Sequence, residues 1–296
     1  MQAALLPDRG VVKVAGDDAR KFLNGLVTCD LGKVTPERAA FGALLTPQGK
    51  IIVDFLLAEA PAADGGGFFL DCPRALAPAL VQRLNFYKLR AKVIAEDLSE
   101  TLGVLASWNG AGATEYGLCY GDPRLPALGM RCMLPPHLAA DAAADLGAAL
   151  VEAAAYEAHR IALGVPRGGL DFSYGDAFPH ESDMDQLGGV DFDKGCFVGQ
   201  EVVSRIEHRG SARTRVVPVA FEGFAPEAGM PVSAGDKTLG TLGSTAQGRG
   251  LAMLRLDRTA DALAAGRALA SGGVELRLVK PAWAHFAWPG DAKAAQ

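Results

Sequence analysis

The sequence predicts an α+β fold closed at its C-terminal end by a small β-barrel. Three observations predict it. Strand-like and helix-like segments succeed one another over residues 1–210 without a steady βαβα alternation, which disfavours a doubly wound sheet. After Arg215 the pattern changes to short β-type runs separated by Gly- and Pro-rich turns, the signature of a small barrel. The length of 296 residues accommodates two domains at roughly 150 residues each. The composition shift puts the boundary near 210–215, giving an α+β domain over 1–212 and a barrel over 213–290.

The elements justify themselves in order. Val11 to Val14 is a short β-type run. Asp17 or Asp18 then caps a helix whose apolar face is Ala19, Phe22, Leu23, Leu26 and Val27. Phe41 to Leu45 and Ile51 to Leu57 flank Thr46-Pro47-Gln48-Gly49, a turn joining two strands. Phe68 to Cys72 reads as a strand. Pro73 opens a helix reaching Asn85, with Leu76, Leu80 and Leu84 on one side. Strands are expected at 92–95, 104–108, 116–120 and 130–134, and Ala-rich helices at 136–149 and 151–163. Residues 164–195 are dense in Gly, Asp and Pro. A loop of that length inside a globular chain is usually functional or disordered. Gly199 onward resumes a helical pattern with Val202, Val203 and Ile206. Strands at 216–221, 240–244, 251–256 and 274–279 make the barrel.

Composition excludes several classes. Hydrophobic residues at 49% and charged residues at 21% are ordinary for a globular protein, so disorder and coiled coil are out. A net charge of -5 argues against a duplex nucleic-acid binder. No run of about 18 apolar residues marks a membrane span. The first ten residues lack the pattern of a secretory signal. The five cysteines are odd in number and scattered, which argues against a disulfide framework and suits a reducing compartment. A cytoplasmic location is the expectation.

The most unusual peptide is Asp193-Lys194-Gly195-Cys196-Phe197-Val198-Gly199-Gln200-Glu201. A thiolate is stabilised by a nearby cation or helix N-terminus. Lys194, two residues before Cys196, would share its face in an extended segment. An inert buried cysteine in a tight turn is the competing reading. Arg205, His208, Arg209, Arg213 and Arg215 form a basic cluster suited to an anionic ligand, or simply a solvated helix end. Asp171, Asp176, His180, Glu181, Asp183 and Asp185 form an acidic loop. It lacks the glycine of a calcium loop, and no His/Cys spacing marks zinc, so no metal is expected. No dinucleotide, P-loop or hydrolase-elbow motif occurs.

Lys194-Gly195-Cys196-Phe197-Val198-Gly199-Gln200-Glu201 resembles the K-G-C-[YF]-x-G-Q-E signature of the YgfZ-type folate-binding proteins, which include factors that mature [4Fe–4S] proteins. Gly16-Asp17-Asp18-Ala19, Phe22 to Asp30, Pro47 to Ile51 with Asp54, Glu157-x-x-Arg160 with Gly164 and Pro166, and Pro179 with Glu181 agree with other parts of that family's pattern. The family is similar in fold to the aminomethyltransferase (T-protein) of glycine cleavage. The resemblance implies two interwoven α+β lobes and a C-terminal barrel, with tetrahydrofolate as cofactor. It agrees with Cys196 and Lys194 as the reactive pair and implies Asp54, Arg160, Gly199, Gln200 and Glu201 as folate-binding residues, while Arg205 of the basic cluster is a further candidate, facing the glutamate carboxylates of a folate. The implied partners are folate and iron–sulfur client or assembly proteins; charge and hydropathy argue for no nucleic-acid or membrane partner, and a monomer is the expected state. T-proteins carry an acidic residue in place of Ala162. That departure counts against the rival reading, a folate-dependent one-carbon transferase. A cysteine hydrolase, the third reading, would need His180 or His208 as its base.

Overall fold

The structure, a computed structural model, describes residues 1–110, 112–210 and 212–291. It divides into two compact units: Met1–Tyr156 with Leu187–Glu201, and Glu157–Gln186 with Val202–Gln296.

The first unit carries two five-stranded sheets. In chain order its elements are β1 (Gln2–Leu6), β2 (Arg9–Ala15), α1 (Ala19–Asn24), β3 (Ala40–Leu45), β4 (Ile51–Glu59), β5 (Phe68–Pro73), α2 (Ala77–Tyr87), β6 (Ile94–Asp97), β7 (Gly103–Trp108), β8 (Leu118–Gly121), β9 (Met130–Leu134), α3 (Ala139–Asp145) and β10 (Ala149–Leu150). One sheet runs β3-β4-β5-β2-β6 and the other β10-β1-β7-β9-β8. β1 therefore belongs to the sheet whose remaining strands follow β6, and the two lobes are interwoven by the chain's first crossing. Leu23 of α1 and Leu80 and Leu84 of α2 pack with Val12, Val14, Phe55, Leu57 and Leu70 to bury the first sheet. The second sheet is covered by α3, whose Ala139, Ala142 and Ala143 join Ala3, Leu105 and Leu134 in one core.

A buried ionic seam ties the sheets together. Arg131 of β9 reaches Asp71 of β5 at 3.0 Å, Asp122 at 3.3 Å and the Tyr156 hydroxyl at 3.0 Å. Arg9 and the Tyr120 hydroxyl also meet Asp71, and Arg124 meets Asp122. Asp71 is fully buried, so only this company makes its charge tolerable.

The chain passes into the second unit within α4 (Ala153–Ala162), returns, and passes again within α5 (Gln200–Arg209). Six strands then close a barrel: β11 (Thr214–Ala220), β12 (Pro231–Ala234), β13 (Lys237–Ala246), β14 (Arg249–Arg255), β15 (Leu269–Ser271) and β16 (Val274–Leu278), in the order β11-β14-β13-β12-β15-β16. Val217, Val219, Leu242, Leu254 and Leu276 fill it. A helix, α6 (Leu256–Ala264), interrupts the barrel strands. The α+β class and the C-terminal barrel are as the sequence predicts.

Several local expectations are corrected. The helix expected from Pro73 begins at Ala77, with Pro78 in its first turn, because Pro73 still closes β5. α1 stops at Gly25, and the Asp18 carboxylate accepts from the Lys92 backbone N–H and makes no helix cap. The first Ala-rich segment holds α3 and then the two-residue β10, which pairs in parallel with β1. Cys119 and Cys132 form a disulfide. They lie directly opposite on β8 and β9, Cα atoms 4.0 Å apart, a proximity invisible at a sequence separation of 13. Cys29, Cys72 and Cys196 are free, and of these only Cys196 is exposed. A thiol assay on unreduced protein should therefore detect one fast-reacting thiol when folded and three in denaturant, out of five cysteines. Five reactive thiols in denaturant without reductant would contradict the pairing.

Candidate functional site

The signature peptide lies in the first unit, on a segment without regular secondary structure that ends where α5 begins. Residues 192–194 bend, turning Lys194 inward, where it is only 8% exposed. Its ammonium donates to the carbonyls of Asn24 at 2.8 Å, Val27 at 2.7 Å and Cys29 at 2.7 Å. The Asn24 carbonyl ends α1, where a helix leaves acceptors without intrahelical donors, and the other two belong to the turn that follows. All three N–H groups of the ammonium are thus used. Burial pulls its pKa below the usual lysine range, against the opposing pull of Cys29, Asp30 and Asp191. Further anchors secure the same segment. The Asp191 carboxylate accepts from the Lys194 backbone N–H at 3.1 Å and pairs with Lys33, and the Thr28 hydroxyl donates to the Gly189 carbonyl at 2.6 Å.

Cys196 emerges exposed from this anchored base. The expected Lys194–Cys196 pairing on one extended face does not form, because the bend sends the two side chains apart. The thiol within the field of Lys194 is Cys29, whose burial pushes its pKa up to about 12 despite that field. Gly199 explains its own place in the motif. Its φ is +83°, and a Cβ there would lie 2.6 Å from the Thr46 carbonyl oxygen and 3.1 Å from Gly49 Cα. The signature loop therefore rests on the β3–β4 turn, with Gly199 against Thr46 and Gly49. Gln200 and Glu201 open α5, with Glu201 exposed in its first turn.

The remaining nominated residues lie elsewhere. Asp54 sits in β4 opposite Ala43, 8% exposed, and its charge acts on half-buried Arg9. Arg205 is exposed on the α5 surface, in the second unit. Arg160, also in the second unit, is 2% exposed and spends its guanidinium inside the protein. It donates to Val165 O at 2.5 Å, Asp171 at 2.9 Å, Glu157 at 2.9 Å and Ser244 Oγ at 2.9 Å. A direct folate contact would have to break one of these bonds, so Arg160 does not fit that role as it stands.

The acidic loop and the basic cluster, separate in the sequence, answer each other in space. Asp171 serves Arg160 and the Ser244 backbone N–H. Arg215, only 5% exposed, donates to both Asp185 oxygens at 2.8 Å and to Asp183 at 3.0 Å. It is thus a core ion pair and no part of an anion-docking patch. His180, Asp185 and Glu207 bring potential metal-ligand atoms within 4.8 Å of one another, but the Arg215 guanidinium already occupies the Asp185 carboxylate. Sequence reasoning singled out these residues and missed their pairing, because loop acids and helix-end arginines carry no mark of partnership.

The two aspartates should behave oppositely. Arg215 holds the Asp185 carboxyl below the usual range even though burial opposes this, and burial keeps the Asp183 carboxyl well above it. Asp185 therefore adds stability above its unfolded pKa of about 3.9, which is lost as pH falls through the lowered value. The raised Asp183 value has the opposite sign: its contribution is fullest below the unfolded pKa and declines as pH rises toward the raised value. Asp185→Asn should lower stability at neutral pH by about 3 kcal/mol. Asp183→Asn, which removes a carboxylate that burial already disfavours, should cost less than Asp185→Asn. Thermal melts of both variants at pH 7 check the contrast, and equal losses would contradict it.

A cavity of about 510 Å³ adjoins the anchor of the signature loop in the first unit. Cys29, Asp30, Lys33, Arg38, Phe41, Asp191 and Phe192 are among its walls. Its size suits a small organic ligand. Asp54, Arg160, Arg205 and residues 199–201 are not among its lining residues. Among the described residues no helix is long and apolar enough to cross a membrane.

Comparison with known proteins places the chain. Residues 213–286 match the family model of the CAF17 C-terminal beta-barrel domain. Over its whole length the structure resembles the crystal structure of the glycine cleavage system aminomethyltransferase T from Bartonella henselae. The TM-score is 0.76 at 15% identity, over 97% of this chain and 87% of that one, so the likeness is one of fold. Among proteins of known name, the mitochondrial iron–sulfur cluster assembly factor IBA57 of Homo sapiens is 30% identical over 97% of this chain and 85% of its own. The Mus musculus protein of the same name is 32% identical over 97% and 86%. The IBA57 homolog of Mycosarcoma maydis is 36% identical over 74% of this chain, which spans only 57% of that protein. These relatives are named as mitochondrial proteins, which corrects the expected cytoplasmic location. That expectation rested on the lack of a secretory signal and on scattered cysteines, neither of which bears on an organelle with a reducing interior. Identity at this level over nearly the whole chain, with the shared fold, shows that the protein belongs to the IBA57 family of iron–sulfur cluster assembly factors.

Proposed function

We propose that this protein acts in the assembly or repair of [4Fe–4S] clusters, with the Cys196 thiol as the group that meets cluster iron. One observation carries the reading. Among the free cysteines Cys196 alone is exposed, and it stands on a loop secured at its base by Lys194. A lone thiolate cannot supply the four ligands a cluster needs, so the remaining ligands come from the partner that delivers or receives it. The names of the human and mouse relatives support the process, and the resemblance of Lys194–Glu201 to the K-G-C-[YF]-x-G-Q-E signature supports the residue.

Tetrahydrofolate is the proposed small-molecule ligand. The T-protein fold and the cavity beside the signature loop support it, while the saturated Arg160 speaks against the binding set expected from the sequence. Folate binding at the cavity and the contact of the Cys196 thiol with cluster iron are thus distinct properties, each with its own test. Deleting the gene tests the process. The activity of a [4Fe–4S] enzyme should fall and return with the wild-type copy, and full activity without the gene would overturn the proposal. Equilibrium dialysis of the purified protein against tetrahydrofolate tests the ligand, with saturable binding expected and none contradicting it.

A further inference from the structure

Seven large hydrophobic residues are exposed among the described residues, and three of them fall within nine positions: Phe86 (74% exposed), Leu89 (88%) and Ile94 (69%). Single exposed apolar side chains are ordinary, but a cluster calls for an explanation. These three belong to the last turn of α2, the link that follows and the start of β6. The link is firmly held. Leu84 and Val93 on either side are buried in the core, and the Lys92 backbone N–H donates to the Asp18 carboxylate at 2.8 Å. Gly16 lies so close that a Cβ would meet the Lys92 carbonyl oxygen at 2.1 Å. At the tip, Leu89 has φ +45°, a left-handed conformation that a leucine adopts at a cost, while its side chain points into solvent.

The charge around this tip is one-sided. From Pro73 to Ala95 the chain contains Arg74, Arg83, Lys88, Arg90 and Lys92 and no Asp or Glu, in a protein of net charge -5. Arg74 pairs with Glu100 and Lys92 with Asp17, which leaves Arg83, Lys88 and Arg90 as the cations flanking the apolar cluster. Glu96 and Asp97 then end β6 with the opposite sign. β6 is the last strand of its sheet, paired only with β2, and it is exposed or half-exposed at all four residues.

We propose that this tip is a docking surface for an acidic segment of a partner protein that also carries aliphatic or aromatic side chains. Its apolar residues would cover Phe86, Leu89 and Ile94, and its carboxylates would face Arg83, Lys88 and Arg90. Glu96 and Asp97 would repel an acidic chain from the far end and so fix its register. An anionic bilayer could answer the same cations and apolar side chains. The open edge of β6 favours a protein segment, because an extended chain can add its backbone hydrogen bonds there and a lipid cannot. The proposal is independent of the cluster-assembly reading.

The test follows backbone amide resonances of the full chain during titration with three probes. One is a short peptide alternating acidic and aliphatic residues, the second its lysine-for-acid counterpart, and the third phosphatidylcholine vesicles with or without an anionic lipid. The acidic peptide should shift resonances over residues 83–97, and the lysine peptide should not. Combining Arg83→Glu with Arg90→Glu should weaken the acidic peptide about tenfold or more. Leu89→Gly is the sharper variant. It removes the apolar anchor and relieves the backbone, so binding should weaken while the melting temperature holds or rises. No shift with the acidic peptide, equal binding of the lysine peptide, or response only to anionic vesicles would overturn the proposal.

Discussion

Lys194→Met is expected to unfasten the signature loop while leaving Cys196 in place. Methionine keeps the length of the side chain and removes its charge and donors. The carbonyls of Asn24, Val27 and Cys29 then lose the ammonium at 2.7–2.8 Å. A buried acceptor left without a donor costs roughly 1–3 kcal/mol, and water entering the site recovers part of that. A net loss of about 3 kcal/mol would lower the melting temperature by about 6–12 °C for a unit of this size. Hydrogen exchange and limited proteolysis should show the opening confined first to residues 187–199. Client maturation should fall nearly as far as in Cys196→Ala, although the thiol remains. A variant that keeps wild-type protection in this segment would contradict the anchoring role. So would an effect restricted to the reactivity of Cys196.

The second large effect is expected at Arg131→Met, in the seam between the two sheets of the first unit. Arg131 is 4% exposed and lies against Asp71, Asp122 and Tyr156. Its removal leaves two buried carboxylates with less compensation, although Arg9 still pairs Asp71 and Arg124 still pairs Asp122. Breaking a buried pair in this way costs about 3–5 kcal/mol. The pH dependence gives the loss a signature. Arg124 and Arg131 together hold the Asp122 carboxyl below its usual range, although burial opposes them. Its stabilising contribution is therefore present above its unfolded pKa of about 3.9 and disappears as pH falls through the lowered value. Wild type should lose stability on acidification through that window. Arg131→Met should lose less there, having less to lose. Denaturant melts at neutral and acidic pH measure both, and parallel pH curves would contradict the assignment.

What the sequence made legible follows from which forces act locally. The hairpin around Thr46-Pro47-Gln48-Gly49 and four of the barrel strands are apolar or β-branched runs bounded by Gly and Pro, and a strand formed at each. β1 was hidden because Gln2–Leu6 is Ala- and Leu-rich, with weak β preference, and it is a strand only through its pairing with β7. β12 and β15, at four and three residues, are too short to show a period. The Cys119–Cys132 disulfide depends on the register of β8 against β9, which no local pattern states. At the site, the signature marked Lys194 and Cys196 together, but the inference that they share a face assumed an extended segment. The bend at 192–194 separates them, and the partners of Lys194 lie about 165–170 positions away in sequence. Arg215 with Asp183 and Asp185 shows the same limit: the charges were visible, and their pairing depended on the fold.

The most direct measurement is the recovery of [4Fe–4S] enzyme activity in cells lacking the gene, supplied with Cys196→Ala, Cys72→Ala or wild type at matched protein levels. Cys72 is a buried free thiol of β5 outside the walls of the loop cavity, so its change to alanine removes a sulfur away from the signature loop. Wild type and Cys72→Ala should restore activity, the latter in proportion to the folded protein that remains, and Cys196→Ala should fail while fully folded. Full recovery with Cys196→Ala would contradict the central claim that this exposed thiol carries the protein's chemistry.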